Sequence, residues 1–349
     1  MSKPSQKPNL AILGATGNVG RIFLEILEER KFPINNLKLL ASEKSAGKKI
    51  KFNGKEYIVE TATKDSFKDI DIVLASAGGI TSKELTPYAV KAGATVIDNS
   101  SAYRMDSEVP LIVAGVNDHA LKNHKGIIAN PNCTTAQLVP PLKAIHKLAG
   151  LKRVIVSTYQ SVSGAGKAAM DELTNQSKES LCKDLPWQVS YKVNAPNRKF
   201  AFNVVPHIDV FSDDGYTKEE IKVINESRKI LDLPNLKITC TAVRVPVYIG
   251  HSESVNVELE KNVSREEIIA ALKRFSVETH HGASLIEVVD NPNDSLYPMA
   301  IDIAGKDPVF VGRIREDKSC PNAFNFWIVA DNLRIGAALN AVRIAESLV

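Results

Sequence analysis

Residues 9–30 read NLAILGATGNVGRIFLEILEER, and this stretch decides the fold of the first third of the chain. The apolar run NLAILG is typical of a buried strand, whereas the apolar residues of NVGRIFLEILEER recur at the spacing of an amphipathic helix. Gly14, Gly17 and Gly20 lie between the two patterns. A glycine turn lets backbone N–H groups approach a pyrophosphate at the start of a helix. The stretch therefore predicts a strand, a tight turn and a helix that together bind a nucleotide.

The same alternation of strand and helix patterns continues through the first third of the sequence. The stretches NLKLLAS, DIDIVLASAGG, ATVIDNSS and PLIVAGVN are apolar and rich in Val, Ile and Leu. Near-continuous apolar strands separated by helices predict a parallel sheet that is covered on both faces. We therefore predict a doubly wound, Rossmann-like α/β domain over residues 1–132. The glycine spacing is GxxGxxG, so a tight turn with another ligand or none is the alternative.

The middle of the chain has a different pattern. LKRVIVSTYQSVS predicts a strand, GKAAMDELTNQSKESL a helix, and TKEEIKVINESRKIL a helix opened by a capping box of Thr217 and Glu220. KITCTAVRVPV and SESVNVELE alternate by twos, as half-buried antiparallel strands do. We predict a second, α+β domain with a mixed sheet over residues 133–331. The last helix, residues 332–349, either ends this domain or packs back onto the first, and we expect the latter.

Length and composition limit the class of protein. The chain has 349 residues, too many for one ordinary core, and its 44% hydrophobic and 24% charged residues are typical of globular domains. Its net charge of +4 is small and scattered, which does not indicate a nucleic-acid partner. The sequence contains neither a signal-peptide pattern nor an apolar run long enough to span a bilayer. We therefore expect a cytoplasmic protein without a membrane partner.

Cys133 begins an amphipathic helix in IIANPNCTTAQLVPPLKAIHKL, residues 127–148, directly after a strand-like run. The positive end of a helix dipole stabilises a thiolate, so Cys133 is a candidate nucleophile. A small buried hydrophobic residue is the alternative. The remaining cysteines, Cys182, Cys240 and Cys320, are far apart and form no CxxC pair. We interpret them as reduced, structural thiols and predict no metal site.

Several charged residues stand in unusual settings. Arg244 interrupts the apolar strand TAVRVPV, where a charge must be paired, so it is a candidate ligand of a carboxylate; a structural ion pair is the alternative. Glu219 and Lys222 share one helix face, and the residues alone favour an exposed ion pair there. Arg104 follows the end of a predicted strand, where ligands of open α/β sheets bind.

Two of the seven histidines are candidates for acid–base chemistry. An imidazole titrates near neutral pH, which suits proton transfer in an active site. His251 lies in GHSES and His207 in VPHID, and both settings are suggestive. A surface histidine or a hydrogen-bonded core histidine is the alternative for each. The residues alone rank His251 only slightly above His207.

The choice of nicotinamide cofactor depends on the end of the second strand, ASEKSAG. An acidic residue at this place holds the ribose hydroxyls of NAD, whereas a cation and a hydroxyl suit the 2′-phosphate of NADP. Glu43 favours NAD, and Lys44 with Ser45 favours NADP. The residues alone leave this choice open.

Eight motifs follow one another in order from about Leu10 to Glu346: LGATGNVG, SSAYRM, NPNCTT, STYQSVSGAGKAAMDEL, FNVVPHIDVF, YTKEEIKVINESRKI, VRVPVYIGHSESV and DNLRIGAALNAVRIAE. Together they resemble the aspartate-semialdehyde dehydrogenase family. The resemblance implies an NADP-dependent enzyme that reductively dephosphorylates L-aspartyl-4-phosphate to L-aspartate 4-semialdehyde, in the biosynthesis of lysine through diaminopimelate, threonine and methionine. It also implies that residues 133–331 form the catalytic and dimerisation domain of a homodimer or homotetramer.

The resemblance also implies roles for individual residues. It implies that Cys133 is the acyl-forming nucleophile and His251 the general acid/base. The implied substrate contacts are Arg104 and Lys222 for phosphate, Arg244 for the carboxylate, Glu219 for the ammonium group, Gln160 for orientation, and Asn132 beside the nucleophile. The cofactor contacts implied by the resemblance are Thr16, Gly17, Asn18, Val19, Ser163, Gly164 and Asn332, to which the residues themselves add Gly14, Lys44 and Ser45.

One position departs from the pattern of the family. The family often has arginine in the stretch that corresponds to SEKSAG, where this sequence has Lys44. Lysine keeps the positive charge but lacks the planar fork of a guanidinium. This departure predicts a weaker preference for NADP.

Three alternative functions fit the motifs of this sequence less well than the aspartate-semialdehyde dehydrogenase family does. N-acetyl-glutamyl-phosphate reductase performs the same chemistry, but its nucleophile lies in a Pro-Gly-Cys-Tyr-Pro-like setting that NPNCTT does not match. Glyceraldehyde-phosphate dehydrogenase explains a Cys-Thr-Thr helix start, but neither SSAYRM nor VRVPVYIGHSES. A catalytically silent relative that binds a cofactor or a protein is disfavoured because Cys133, Gln160, Arg244 and His251 are all present.

Overall fold

The computed structural model describes residues 7–182, 199–278 and 284–349. The chain divides into two compact units, of which unit 1 comprises residues 1–132 and 336–349 and unit 2 comprises residues 133–335. Within the described ranges, no helix is both long enough and apolar enough to cross a membrane.

Unit 1 is a doubly wound α/β sheet. Its elements are β1 (Asn9–Leu13), α1 (Asn18–Glu29), β2 (Asn36–Ala41), β3 (Lys49–Phe52), β4 (Lys55–Thr61), β5 (Ile72–Ala75), α2 (Gly79–Lys91), β6 (Thr95–Asp98) and β7 (Ile127–Ala129). The strand order is β3-β4-β2-β1-β5-β6-β7, and every pair is parallel except β3–β4. The order reverses between β1 and β5, where sheets of this kind bind ligands at the carboxyl ends of their strands. The predicted fold class of the first domain is confirmed.

The β3–β4 hairpin was not predicted from the sequence, although a signal was present. Asn53 and Gly54 join the two strands, and both have positive φ, 47° and 74°. Two positive φ values in succession are the geometry of a type I′ turn, for which Asn-Gly is the preferred pair. The hairpin places one antiparallel strand at the edge of the otherwise parallel sheet.

The predicted buried strand at PLIVAGVN, residues 110–117, is wrong. The stretch is buried, but only Leu111 pairs with a strand residue, Ala129. The next amides bond to side chains instead: Val113 N–H donates to Asn117 Oδ1 at 3.0 Å, and Ala114 N–H donates to Asn340 Oδ1 at 2.9 Å. Asparagine side chains therefore replace the neighbouring strand as partners of this backbone.

Unit 2 is an α+β structure on a six-stranded sheet. Its elements are α3 (Cys133–Ala149), β8 (Leu151–Gln160), α4 (Lys167–Leu181), α5 (Lys218–Leu231), β9 (Lys237–Arg244), β10 (His251–Leu259), α6 (Arg265–Glu278), β11 (Ile286–Val288), α7 (Ala300–Ile303), β12 (Val309–Glu316) and β13 (Ala323–Ala330). The strand order is β11-β12-β13-β10-β8-β9. Parallel and antiparallel pairs are combined, so the predicted mixed sheet is confirmed. The capping box of Thr217 and Glu220 at the start of α5 is also confirmed.

Strand β9 corrects one expectation. Its period-two pattern predicted an antiparallel strand, but β9 pairs with β8 in parallel and lies at the edge of the sheet. One covered face produces the same alternation whichever way the neighbouring strand runs. The alternating pattern therefore indicates which residues are buried, but not whether the strand is parallel or antiparallel to its neighbour.

The last helical segment has two parts. A π-helical turn, Arg334–Ala338, precedes α8 (Leu339–Glu346), so the helix expected over residues 332–349 is shorter and interrupted. Within unit 1, Glu346 accepts two hydrogen bonds from Arg30, the residue that follows α1, at 2.6 and 2.7 Å. Asn340 on α8 donates to the carbonyl of Ile112 at 2.8 Å and to Asn130 Oδ1 at 2.7 Å. Residues 336–349 thus complete the packing of unit 1.

Candidate functional site

The turn between β1 and α1 brings backbone groups of unit 1 close together. Gly14 has φ +93°, and a Cβ there would lie 2.9 Å from the backbone of Ser76, which follows β5. A Cβ on Gly20 would lie 2.3 Å from the Gly14 carbonyl oxygen. Both positions therefore require glycine. The helix begins after Gly17 with no acidic residue in its first turn, so its unpaired N–H groups are open to an anion such as a pyrophosphate.

Two of the predicted cofactor segments meet in unit 1. Thr16 Oγ1 donates to Ser45 Oγ at 3.2 Å, which joins the glycine turn to the short 3-10 turn Glu43–Ser45. The exposed Lys44 lies in that turn, one residue from Ser45. Asn18 and Val19 form the first residues of α1. The glycine turn is thus joined to a segment that carries both a cation and a hydroxyl.

Arg104 and Asn132 are both buried in unit 1, at 7% exposure. The Arg104 guanidinium donates to the carbonyls of Asn130 at 2.8 Å and Asn99 at 2.7 Å. These bonds fix its orientation near the carboxyl ends of β6 and β7. Asn132 directly precedes Cys133 and is the last residue of the first segment of unit 1.

Cys133 is the first residue of α3 in unit 2 and is partly exposed. The thiol therefore lies at the amino end of a 17-residue helix, as the sequence predicted. The dipole of such a helix favours the thiolate. By contrast, the thiol of Cys240 is buried, and this burial raises its pKa strongly.

Three predicted substrate residues of unit 2 form a chain of hydrogen bonds: Gln160, Glu219 and Lys222. Gln160 Nε2 at the end of β8 donates to Glu219 Oε1 at 3.1 Å, and Lys222 Nζ lies 3.3 Å from Glu219 Oε2. Lys222 also donates to Asp209 Oδ2 at 2.6 Å. Burial lowers the pKa of Lys222, but Glu219 and Asp209 outweigh this effect and raise it. The expected exposed pair is wrong in one respect, since Glu219 is only 6% exposed.

Arg244 and His251 approach each other beside Gly164. A Cβ on Gly164 would lie 3.2 Å from Arg244 Nη1 and 3.2 Å from His251 Nε2. Arg244 Nη1 donates to the Ser161 carbonyl at 2.6 Å, which holds the guanidinium at the end of β9. Two hydrogen-bond donors of the kind that recognise a carboxylate and a developing oxyanion therefore share one small space.

His251 is fully buried, and its contacts define its tautomer. The Ser161 backbone N–H donates to Nδ1 at 3.0 Å, so the neutral ring carries its proton on Nε2. Nε2 has no hydrogen-bond partner among the described residues. Burial and the Arg244 charge lower the pKa of His251 well below its ordinary value, and the Gly250 backbone only partly opposes them. The neutral Nε2–H is thus available to a substrate.

Ser163 and Asn332 support the same histidine. Asn332 Nδ2 donates to Ser163 Oγ at 3.0 Å, and Asn332 Oδ1 accepts from Ser161 Oγ at 3.1 Å and from Gly250 N–H at 2.9 Å. The network holds the loop at Ser161–Gly164 against the start of β10. It brings three of the predicted cofactor positions, Ser163, Gly164 and Asn332, next to His251.

Lowering the pH is expected to destabilise the protein through His251. The unfolded histidine gains a proton near its ordinary pKa of about 6.5, whereas the buried ring resists protonation to lower pH. The stability that depends on neutral His251 is therefore complete above about pH 6.5 and is lost as pH falls, at up to about 1.4 kcal/mol per pH unit. Urea unfolding at several pH values measures this slope. Relative to the natural protein, His251→Gln should become progressively more stable as pH falls below about 6.5, whereas the exposed His119→Gln should show no such trend. Equal slopes in all three proteins would contradict the expectation.

Residues 9–124 match the semialdehyde dehydrogenase NAD-binding domain family, and residues 142–335 match the semialdehyde dehydrogenase dimerisation domain family. The aspartate-semialdehyde dehydrogenase of Aquifex aeolicus (strain VF5) is 53% identical over 345 residues, which is 97% of each chain. The chain belongs to the aspartate-semialdehyde dehydrogenase family.

Two solved structures of aspartate-semialdehyde dehydrogenases are similar to the chain over its length. Aspartate semialdehyde dehydrogenase II from Vibrio cholerae, complexed with ASA, is 44% identical with a TM-score of 0.91, and the match covers 99% of this chain and 98% of that one. The Candida albicans enzyme with NADP is 26% identical with a TM-score of 0.75, and the match covers 98% of both chains. Fold and family are thus established for both units.

The aspartate-semialdehyde dehydrogenase motifs did not indicate every polar residue that borders this site. Ser161, Asp209, Gln137 and Glu253 all lie next to predicted residues, but none was identified from the sequence. A signal existed for Glu253, because it is two residues from His251 on one strand and must share its face. No comparable signal marked Asp209, which lies 13 positions from Lys222. Among the described residues, no group of three or more metal-ligating side chains occurs.

Proposed function

We propose that this chain catalyses the NADPH-dependent reductive dephosphorylation of L-aspartyl-4-phosphate to L-aspartate 4-semialdehyde. One observation carries the proposal: Arg244 Nη1 and His251 Nε2 both lie 3.2 Å from the position of a Cβ on Gly164. A guanidinium that can bind a carboxylate and a neutral hydrogen-bond donor therefore border one small space in the unit that begins with Cys133. The close relation to the Aquifex aeolicus enzyme and the Vibrio cholerae complex with ASA supports the choice of substrate.

The first chemical step requires a thiolate nucleophile. Cys133 attacks the acyl carbon, the C–S bond forms, and the C–O bond to phosphate breaks, so that phosphate leaves with the electron pair. Its position at the amino end of α3 favours the thiolate. Arg104 and Lys222 would hold the phosphate, and Asn132 would border the thioester. Arg244 would bind the α-carboxylate, Glu219 the ammonium group, and Gln160 would orient the chain between them.

The second step requires a hydrogen-bond donor at the reacting oxygen. NADPH, when bound, would supply the hydride that reduces the thioester carbon. Because the Ser161 N–H donates to Nδ1, the Nε2–H of His251 can donate to the oxygen as negative charge develops there. The neutral ring keeps this proton and stabilises the oxyanion by a hydrogen bond. When the tetrahedral oxyanion collapses, the C=O bond re-forms, the C–S bond breaks, and aldehyde and thiolate separate. His251 therefore stays in one tautomer throughout the cycle.

The cofactor proposal assigns NADP to the glycine turn of unit 1. The turn fits a dinucleotide because Gly14 and Gly20 lack the Cβ that would obstruct it and α1 lacks an acidic first turn. Gly17, Asn18 and Val19 would present their N–H groups to the pyrophosphate. Ser163, Gly164 and Asn332 would border the nicotinamide, and Thr16, Lys44 and Ser45 would bind the 2′-phosphate.

Replacing Lys44 with alanine is expected to raise KM for NADP about tenfold, because one charge-assisted contact to the 2′-phosphate is lost. KM for NAD should remain unchanged, since NAD lacks this phosphate. Steady-state kinetics with both cofactors measure the ratio. Lys48→Ala removes an equally exposed lysine of the same segment as the control. An equal change in KM for both cofactors would show that Lys44 does not bind the 2′-phosphate.

The proposed function is tested by assaying the purified protein in the reverse direction. We expect NADPH to form from aspartate semialdehyde, NADP and inorganic phosphate, with a rate that depends on phosphate. N-acetylglutamate semialdehyde, the substrate of the rival acyl-phosphate reductase, should give no turnover. Turnover with that aldehyde alone, or turnover independent of phosphate, would overturn the assignment.

We infer that the protein is a cytoplasmic homodimer or homotetramer of amino-acid biosynthesis. Residues 1–132 with the C-terminal helix would form the cofactor domain, and residues 133–331 the catalytic and dimerisation domain. Helices α3, α5 and α6 contact the sheet of unit 2, and the residues that share a face with His251 are buried. The other face presents Tyr159, which is 36% exposed. Its ring centroid lies 5.5 Å from that of Trp327, with the rings tilted by 47°, and Trp327 lines a cavity of about 300 Å³. This aromatic face is the proposed dimer surface.

Tyr159→Glu is expected to convert the dimer to monomers, because each interface would then bury two unpaired carboxylates. Sedimentation equilibrium over a range of concentrations measures the change. Ile58→Glu alters a more exposed apolar residue of unit 1, at 59%, and should leave the dimer intact. A Tyr159 variant that remains dimeric would exclude this face.

A further inference from the structure

Glu253 on β10 is a fully buried carboxyl group to which the reaction assigns no role. Neither of its oxygens has a hydrogen-bond partner among the described residues. The buried Glu220 of α5 is different, since it accepts from the backbone N–H groups of Thr217 at 2.7 Å and Ala242 at 2.9 Å. A buried carboxylate needs such donors to remain ionised. The surroundings of Glu253 therefore suit an acid and not its anion.

The side chain that faces Glu253 is Gln137 of α3. Gln137 Nε2 donates to the backbone carbonyl of His251 at 3.2 Å, whereas Gln137 Oε1 has no partner within the described part of the chain. Both Glu253 oxygens and Gln137 Oε1 are acceptors, and none of the three has a donor among the described residues. A proton on Glu253 supplies that donor.

We propose that Glu253 is held as a neutral carboxylic acid that donates to Gln137, and that this pair positions the catalytic histidine relative to the nucleophile. The part that concerns catalysis rests on the proposed function. Glu253 lies two residues after His251 and on the same face of β10. Gln137 lies one helical turn after Cys133. The pair thus connects the strand that carries the acid–base group to the helix that carries the thiol.

Few other groups near Glu253 can titrate. Cys240 faces it from β9, and His251 precedes it on the same strand. The first ten residues of α3, CTTAQLVPPL, contain no charged side chain, and neither does β13. Across the sheet, Thr158 of β8 and Ile328 of β13 are its registered neighbours. No cation among these neighbours can stabilise the anion.

The neutral state has a thermodynamic signature. Burial raises the pKa of Glu253 well above its ordinary value, and contact with Gln137 only partly offsets this. The unfolded chain loses this proton near the ordinary value for glutamate, so stability is complete below that pH and falls as pH rises toward the folded pKa. Glu253→Gln removes the titration but keeps a donor. The stability of the variant relative to the natural protein should therefore increase with pH.

The protonation state is tested without any enzyme assay. Infrared spectra of the purified protein at neutral pH should contain the carbonyl stretch of a protonated carboxylic acid, and Glu253→Gln should remove it. Glu220→Gln is the matched control, because that buried carboxylate is already satisfied by N–H donors and should not contribute to the band. Absence of the band, or its persistence in Glu253→Gln, would overturn the proposal.

The positioning role is tested by comparing two substitutions. Glu253→Gln retains a donor for Gln137 Oε1 and should keep kcat within about threefold of the natural protein. Glu253→Met has similar volume but no donor, and kcat should fall about 10- to 100-fold with KM unchanged, because a small displacement of reacting groups is costly. Equal losses in both variants would overturn the positioning role.

A third measurement separates this proposal from the proposed function. The pH dependence of Cys133 alkylation by iodoacetamide reports the environment of the thiol and requires no substrate. We expect Glu253→Met to change this profile and Glu253→Gln to preserve it. A protein that shows these differences but no aspartate-semialdehyde turnover would refute the substrate assignment alone. Identical profiles in all three proteins would refute the positioning of the thiol by Glu253.

Discussion

Cys133→Ser is expected to lower the phosphate-dependent formation of NADPH by at least about a thousandfold, as loss of a catalytic nucleophile does in other enzymes. A serine hydroxyl at the same helix start is nearly all protonated at neutral pH, so it is a much weaker nucleophile than a thiolate. The thioester cannot form, so both half-reactions stop. Initial rates with aspartate semialdehyde, NADP and phosphate measure the loss.

The variant must be shown to remain folded. NADP binding, followed by fluorescence titration, should be unchanged in Cys133→Ser, because the glycine turn belongs to the other unit. Cys320→Ser replaces a partly exposed cysteine of unit 2 and should retain full activity. Substantial turnover by Cys133→Ser would show that the thiol is not the acyl carrier.

Gly20→Ala is expected to lower the free energy of unfolding by about 3 kcal/mol and to weaken NADP binding. The new Cβ would lie 2.3 Å from the Gly14 carbonyl oxygen and 2.8 Å from the Ala15 Cα. Both neighbours are backbone atoms, so no side-chain rotation relieves the overlap. Helix α1 must move away from the turn, and its N–H groups move with it. Urea unfolding and fluorescence titration with NADP measure the two effects.

Gly79→Ala is the matched control for this substitution. Gly79 begins α2 in the same unit, has no positive φ, and a Cβ there would meet no atom within 4 Å. Alanine should therefore be neutral or slightly stabilising. If Gly20→Ala behaved like Gly79→Ala, the close contact between α1 and the turn would not be a real constraint.

The architecture of both units was largely predictable because the main patterns follow from burial. The glycine turn at Gly14–Gly20, the parallel apolar strands and the capping box of Thr217 were all readable from local sequence. The failures occurred where tertiary partners decide the outcome. Residues 110–117 are as apolar as a strand, but Asn117 and Asn340 bond to their backbone. The direction of β9 could not be read because burial alone sets its alternation.

The candidate site was predictable to a different degree. The chain from Gln160 to Lys222 joins residues that only the family resemblance had selected, and the sequence alone misjudged the exposure of Glu219. The tautomer of His251 depends on a backbone N–H from Ser161, which no residue pattern reveals. The catalytic roles of these site residues stay predictions until the effects of their substitutions are measured. Buried polar pairs such as Glu253 and Gln137 require coordinates, because their partners come from different elements.

The two-part composition of unit 1 affects how the chain matures on the ribosome. Synthesis runs from residue 1, and domains commonly fold in the order in which they emerge. Two hydrogen-bonding residues of this unit, Asn340 and Glu346, nevertheless emerge after the whole of unit 2. Their partners lie in the first segment and are Arg30, Ile112, Ala114 and Asn130. The first unit to be translated is therefore the last to be completed. A nascent chain halted before residue 336 would expose an unfinished nucleotide-binding fold to chaperones and proteases.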